Sequence, residues 1–382
     1  MASRLRVLIA GGGTGGHVVP ALAIARELRD SHGGEVRFVG TARGLETRLV
    51  PEAGFPLELI KVGQLKNVSF ATRVRTLFDL PLGVLRCVEL VRSFRPQVVI
   101  GVGGYASGPA MMASILLRVP TLAFEPNAVP GLANRLVGKH VSGAAVNFEA
   151  TCRYFRNARV TGIPVRAEFF AIQPHPYPEK VGESLSSAPP DDAAKPLHLL
   201  VFGGSQGARV FNEVMPKIAR QLLDDVPGLT ILHQAGARSG PSTEEAYRAS
   251  GPDPARWRVA EYLDDMPQRF AAADLILCRS GASTVAELAA AGRASVLVPF
   301  PGAADEHQLR NAEIFAAAGA AKLRIQEPDD LMQSHLLGDL SSLLSNSYAR
   351  GEMERKVREL AHPHAVREIV GMAVRLVSGS QK

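Results

Sequence analysis

The sequence predicts an α/β protein built from two doubly wound, parallel-sheet halves. Three observations carry this. Short β-branched runs alternate with helical periods along the 382-residue chain. The runs are apolar throughout, as strands covered by helices on both faces must be. Each half also opens with a strand that runs directly into a glycine-rich turn, at 11–16 and at 203–207.

In the first half, 6–10 (RVLIA), 36–39, 57–62, 98–102 and 121–124 read as strands, and 15–29 and 68–94 as helices. The alternation lapses at 171–196, a stretch rich in Pro, Ser and charge that reads as a linker. It resumes with 197–202 (LHLLVF), 229–233, 259–262, 275–278, 296–300 and 322–325 as strands. The expected domains are 1–165 and 197–363, joined by a linker over 166–196, with a terminal helix from about 364 packing back on the first domain.

Composition excludes several classes. With 46% hydrophobic and 21% charged residues the chain is neither disordered nor low-complexity. Cys87, Cys152 and Cys278 lie far apart with no CxxC, which argues against a disulfide framework or a zinc ribbon and fits a reducing compartment. The N-terminal apolar run ends at Gly11, too short for a signal peptide core. The charge-free stretch 96–117 is broken by Gly101, Gly103, Gly104, Gly108 and Pro109, so two short elements explain it better than a membrane span. Residues 1–165 carry 20 Lys and Arg against 10 Asp and Glu, whereas 166–382 carry 23 against 27. A basic half implies an anionic partner: nucleic acid, lipid headgroups or a phosphorylated substrate. The lack of a recognisable module or interleaved exposed aromatics disfavours nucleic acid.

Gly11-Gly12-Gly13-Thr14-Gly15-Gly16-His17 joins a strand to a helix, where glycines admit a close ligand and free amides favour an anion. A dinucleotide site needs a carboxylate after the second strand, and Val39-Gly40-Thr41-Ala42-Arg43 has none. Arg43 facing a 2′-phosphate keeps an NADP reading open. Similar turns occur at 203–208 and 101–109. Two of them opening two halves suit a diphosphate held in a cleft without metal.

Ser280-Gly281-Ala282-Ser283-Thr284-Val285-Ala286-Glu287 follows a strand; its small polar residues can start and cap a helix and contact phosphate. Glu287 can accept two hydrogen bonds from neighbouring hydroxyls, as on a ribose. It can equally stabilise the helix dipole. His17 sits in the first turn of its helix, where the positive end disfavours imidazolium and makes a neutral base plausible; capping or packing is the commoner use of such a histidine. The 68–94 helix combines Phe70, Leu77, Phe78 and Leu82 with Arg73 and Arg75. It suits either an anionic membrane surface or a core-packed helix with solvated arginines.

Together GGGTGGHVVPALAIA, GVGGYASGP, GGSQGA, EYLDDM, CRSGASTVAELAAAG and the Asp305…Gln308…Asn311 stretch resemble, in order and end to end, the MurG family of glycosyltransferases. The resemblance implies a GT-B fold, two Rossmann-like domains facing a cleft. It implies transfer of N-acetylglucosamine from its UDP ester to undecaprenyl-diphosphate-linked MurNAc-pentapeptide, with inversion, at the cytoplasmic face of the bacterial inner membrane. Cell-wall or division proteins would be further partners. By motif, Thr14, Gly15, Gly16, Asn127 and Arg166 would contact the donor, and Ser205 would lie at the diphosphate. Leu263 would face the uracil through its backbone. Ala282, Ser283, Thr284, Val285, Ala286 and Glu287 would span phosphate and ribose, and Gln308 would hold sugar hydroxyls. His17 matches the family's cleft histidine.

The chain departs from the family at Pro126, where Gln is usual, and at His307, the first of a usual glutamine pair. The expected mechanism is a single displacement, with helix starts at Gly15, Gly207 and Ser283 stabilising the leaving diphosphate. His17 is the expected base and Glu125 the alternative. No cofactor and no metal ligand are expected, because the cleft motifs hold no Asp-x-Asp. The alternatives are another UDP-sugar enzyme of this fold, such as a 2-epimerase or a transferase with a different acceptor, or an NADP-linked module.

Overall fold

In a computed structural model the chain forms two compact units, Met1–Val165 with His362–Lys382, and Arg166–Ala361. The structure describes residues 4–42, 44–61, 70–177 and 196–379, with 70–80 described through the backbone.

The first unit alternates strands and helices as β1 (Arg6–Gly11), α1 (Gly15–His32), β2 (Glu35–Gly40), α2 (Glu46–Glu52), β3 (Leu57–Leu59), α3 (Phe70–Phe94), β4 (Val98–Gly103), α4 (Ser107–Leu116), β5 (Thr121–Glu125), α5 (Leu132–Val137), β6 (Gly143–Val146) and β7 (Ala158–Val160). Its parallel sheet has the order β3-β2-β1-β4-β5-β6-β7. β1 and β4 are buried along almost their whole length, which is why their sequences show no polar alternation. The strand order reverses between β1 and β4, the place where a sheet of this kind opens a crevice at its carboxyl ends.

The second unit runs α6 (Ala167–Phe170), β8 (Leu197–Phe202), α7 (Arg209–Asp225), β9 (Leu229–Gln234), α8 (Gly240–Ser250), β10 (Trp257–Ala260), α9 (Met266–Ala272), β11 (Leu275–Cys278), α10 (Ala282–Ala291), β12 (Ser295–Leu297), α11 (His307–Ala317), β13 (Lys322–Leu323), α12 (Asp329–Leu344) and α13 (Ser347–Arg358). Its sheet, also parallel, has the order β10-β9-β8-β11-β12-β13 and the same reversal, between β8 and β11. α7 buries Phe211, Val214, Met215, Ile218 and Leu222 at helical spacing against β8, β11 and α12.

The sequence locates the buried strands and misses two. β6 (GAAV) has one β-branched residue and β7 three residues in all, so neither forms a recognisable run. β12 and β13 end earlier than expected, because their carboxyl ends turn into the loops that carry the site. The expected linker is also divided. Residues 166–177 belong to the second unit: α6 packs on α10, Arg293 Nη2 donates to the Gln173 carbonyl at 3.2 Å, and His175 Nδ1 meets Glu354 Oε1 at 2.8 Å. Anchoring by backbone carbonyls and buried charge leaves no apolar signature in a Pro-rich stretch. Residues 178–195 lie outside the described residues.

The last helix, α14 (Ala365–Gly379), returns to the first unit and packs on α1 and the ends of β4, β5 and β6. Its buried stripe includes Ile369, Val370 and Ala373. Truncating the fully buried Ile369 to alanine is expected to destabilise the first unit by about 2–5 kcal/mol, read by denaturant unfolding.

Candidate active site

In the second unit the turn after β8 is closed by Gly207 N–H donating to the Gly204 carbonyl at 2.9 Å. Gly207 has φ +73°, and a Cβ there would lie 1.9 Å from the Ala235 carbonyl oxygen, so the close approach of β9 admits only glycine. Ser205 is exposed at the tip. The amides of Ser205 and Gln206 meet no acceptor among the described residues.

Gln234, buried at the end of β9, was not singled out by the sequence. Its Nε2 donates to the Gly204 carbonyl at 2.9 Å, and its Oε1 accepts from Leu263 N–H at 3.0 Å. One side chain thus ties the glycine turn to the loop after β10. The only signal for it is a polar residue closing an apolar strand. Leu263 keeps its place in that loop, but its N–H is committed to Gln234 and is not available to a base. Its side chain is buried and Tyr262 beside it is exposed.

α10 starts immediately after Gly281. The expected side-chain cap is not made, and its first turn holds no acidic residue. The amides of Ala282, Ser283 and Thr284 therefore point out of the helix unsatisfied, a positive end suited to an anion. Ser283 Oγ is buried and has no partner among the described residues. Val285 is buried and Ala286 half-buried along the same helix.

Glu287 lies beyond the first turn, so it is not a helix-dipole residue. It is half-buried and accepts no hydrogen bond among the described residues. Desolvation pushes its carboxyl up to about 7, with Arg166 opposing the shift. Arg166 is exposed at the start of α6, its guanidinium 5.1 Å from the Phe169 ring centroid.

Ser280 and Asn311 bolt the start of α11 to this turn. Ser280 Oγ donates to the Gln308 carbonyl at 2.8 Å, and Asn311 Nδ2 to the Ser280 carbonyl at 3.1 Å. Gln308 Oε1 accepts from Phe300 N–H at 3.0 Å, which orients its Nε2 as a free donor among the described residues. Asp305 and Glu306, just before α11, both adopt left-handed backbone with φ +53°, local strain of the kind that gathers at binding loops. His307, where the family carries Gln, turns its Nδ1 to the Ala304 carbonyl at 2.6 Å. A cavity of about 510 Å³ opens beside the glycine turn, lined by Gly203, Gly207, Arg279, Phe300 and Gln308.

In the first unit Thr14 precedes α1 with extended backbone, and Gly15 and Gly16 begin the helix. Thr14 Oγ1 lies 3.3 Å from His17 Nδ1. The imidazole passes so close to Gly103 that a Cβ there would fall 2.9 Å from Nε2. The turn after β1 interlocks with the one after β4 through Gly12 N–H to the Gly103 carbonyl.

Glu125, the alternative base, has both carboxylate oxygens engaged. It is buried, and its two oxygens accept from Asn127 N–H (3.0 Å), Asn127 Nδ2 (3.1 Å), Gly131 N–H (3.1 Å) and Asn134 Nδ2 (3.0 Å). Burial raises its pKa although all four donors oppose this. Its work is to hold the loop that presents Asn127. Of the membrane-facing candidates Leu82 is exposed, while the side chains of Phe70, Arg73, Arg75, Leu77 and Phe78 lie outside the described residues, as does Arg43.

Residues 7–146 match the glycosyltransferase family 28 N-terminal domain and residues 198–369 its C-terminal domain. The chain is 40% identical to a UDP-N-acetylglucosamine–N-acetylmuramyl-(pentapeptide) pyrophosphoryl-undecaprenol N-acetylglucosamine transferase of Anaeromyxobacter sp. (strain Fw109-5), over 98% of this chain and 94% of the relative. It is 46% identical to one of Solibacter usitatus (strain Ellin6076), over 83% and 82%. The crystal structure of Acinetobacter baumannii MurG superposes with a TM-score of 0.79 at 31% identity, covering 97% of this chain and 99% of that one.

The raised carboxyl of Glu287 has a stability signature. An unfolded glutamate releases its proton near 4.5 and the folded one near 7, so the folded state binds more protons between them. Its contribution is full below about pH 4.5 and is lost as pH rises through about 7. Glu287→Gln is therefore expected to raise the melting temperature at pH 8 relative to the parent and to leave it unchanged at pH 4, measured by scanning calorimetry.

Proposed function

The chain belongs to glycosyltransferase family 28, with the MurG transferases and their GT-B fold, and on that basis we propose that it makes lipid II. In this reading it moves N-acetylglucosamine from UDP-N-acetylglucosamine to the 4-hydroxyl of undecaprenyl-diphosphate-linked MurNAc-pentapeptide. The observation that carries it is near-full-length identity of about 40% to relatives named for that reaction.

The second unit takes the donor. The open amides of the turn after β8 and of the first turn of α10 receive the diphosphate, with Ser205 and Ser283 hydroxyls beside them. Glu287 accepts from the ribose hydroxyls, and Gln308 Nε2 donates to the sugar. The acceptor oxygen attacks the anomeric carbon while its bond to the β-phosphate oxygen breaks on the opposite face, which inverts the centre. The hydroxyl proton goes to the His17 imidazole and the electron pair leaves on UDP. Fixed amide dipoles stabilise that developing charge without reorganising, so no protein-bound metal is required in this reading.

The first unit also offers a surface for the lipid. Leu82 and Leu85 on α3, Leu116 on α4 and Leu136 on α5 are 60–70% exposed, and these three helices pack in succession. Arg86, Arg118, Arg135 and Lys139 lie on or beside the same helices. Exposed leucines on adjoining helices, with cationic residues near them in sequence, fit an anionic membrane surface. Among the described residues no helix is long and apolar enough to cross a membrane, and in this reading the association is peripheral.

The reaction is tested by incubating the chain with radiolabelled UDP-N-acetylglucosamine and a lipid I analogue and counting labelled lipid. Labelled lipid is expected, with turnover reduced about 100-fold or more in His17→Ala and unaffected by EDTA. Release of UDP or an epimerised sugar without lipid labelling would favour the 2-epimerase-like alternative. For the membrane surface, Leu82→Ser with Leu116→Ser is expected to lower co-flotation with anionic vesicles severalfold while leaving UDP binding intact.

A further inference from the structure

The turn after β1 has the form of a phosphate-binding loop, and the chain answers one of its amides from within, while those of Thr14, Gly15 and Gly16 meet no acceptor among the described residues. Glu46, the first residue of α2, is 1% exposed. Its Oε2 accepts from Gly13 N–H at 2.7 Å. Its Oε1 accepts from Thr41 N–H at 3.0 Å and Thr41 Oγ1 at 3.1 Å, just past the end of β2. The clamp closes in the other direction through Leu45 N–H to the Gly13 carbonyl at 3.2 Å. The surrounding glycines are cut to fit it: a Cβ on Gly12 would lie 2.3 Å from its carboxyl carbon, and one on Gly44 1.9 Å from Oε2.

In a nucleotide-binding Rossmann unit these two places belong to the ligand. The pyrophosphate sits at the turn after the first strand, and the ribose at the end of the second. Here one carboxylate engages both. No cation pairs with it among the described residues, so its charge is held by these donors and by the positive start of α1, whose own first turn has no acidic residue.

We propose that Glu46 is a built-in anion that takes a ligand's place at Gly13 and Thr41 and positions the Gly13–His17 segment for transfer. The equivalent turn of the second unit has no such side chain among the described residues. The kinetic part of this inference rests on the transfer reaction proposed above, and the anion-binding part does not.

Two variants and one probe test it. In Glu46→Gln the Gly13 or Thr41 amide faces an NH₂ group, so kcat is expected to fall about tenfold or more, with the dissociation constant for UDP unchanged by calorimetry. Glu46→Ala leaves the site vacant. Sodium formate, against sodium chloride at equal ionic strength, is expected to raise the melting temperature of that variant by several degrees more than that of the parent and to recover part of its kcat. An unchanged kcat in Glu46→Gln, or a fall in kcat matched by weaker UDP binding, overturns the positioning role. Equal formate shifts in variant and parent overturn the built-in anion. Both melting measurements are free of catalysis, so absence of transfer by the parent itself would count against the proposed function alone.

Discussion

A strand that runs into a helix leaves a ring of backbone amides with no carbonyl to meet, and that positive ring has to be answered by an anion. Both units of this chain carry such a turn at the point where their strand order reverses. They answer it differently. The first unit brings its own carboxylate, Glu46, against Gly13 and Thr41. The second has no such carboxylate at its turn, and Ser205, Gln206 and the start of α10 are unanswered among the described residues. Two copies of one architecture are specialised by where the negative charge comes from.

Keeping an unanswered turn open requires that its neighbours hold it in shape. Gln234 does this by bonding both the glycine turn and the loop after β10, and Ser280 and Asn311 do it for the start of α11. None of these side chains has to touch a substrate. Each spends its hydrogen bonds on backbone, so that Glu287, Ser283 and Gln308 Nε2 are left with capacity to spare. Glu125 follows the same logic in the first unit. Four donors converge on it and tie it to the loop carrying Asn127.

The family relationship gives this pattern its chemistry. A nucleotide diphosphate sugar and a lipid-linked acceptor are both anions, yet the transfer needs only the donor's diphosphate to become a leaving group. In the first unit Glu46 ties down the Gly13 end of the glycine turn. It also keeps His17 in a fixed segment, its ring against Gly103, where a side chain could not be accommodated.

Much of this was legible in the residues alone. Apolar β-branched runs fix strands because a strand buried on both faces tolerates nothing else, and the glycine turns announce close backbone approach because other residues cannot adopt them. The motifs around Thr14, Ser205 and Glu287 lie on loops or helix starts that follow strands in their respective units. What the residues could not convey were contacts made between distant segments. Glu46 is an ordinary helix-start glutamate until α2 folds beneath the first turn, and Gln234 an ordinary strand end until two loops meet it. Glu125 reads as a free acid until four donors converge on it. The first part of a linker turns out to be anchored on α10 and α13. Local pattern determines which segments become strands and helices; only the packed chain decides which polar groups are already satisfied, and hence which remain to do chemistry.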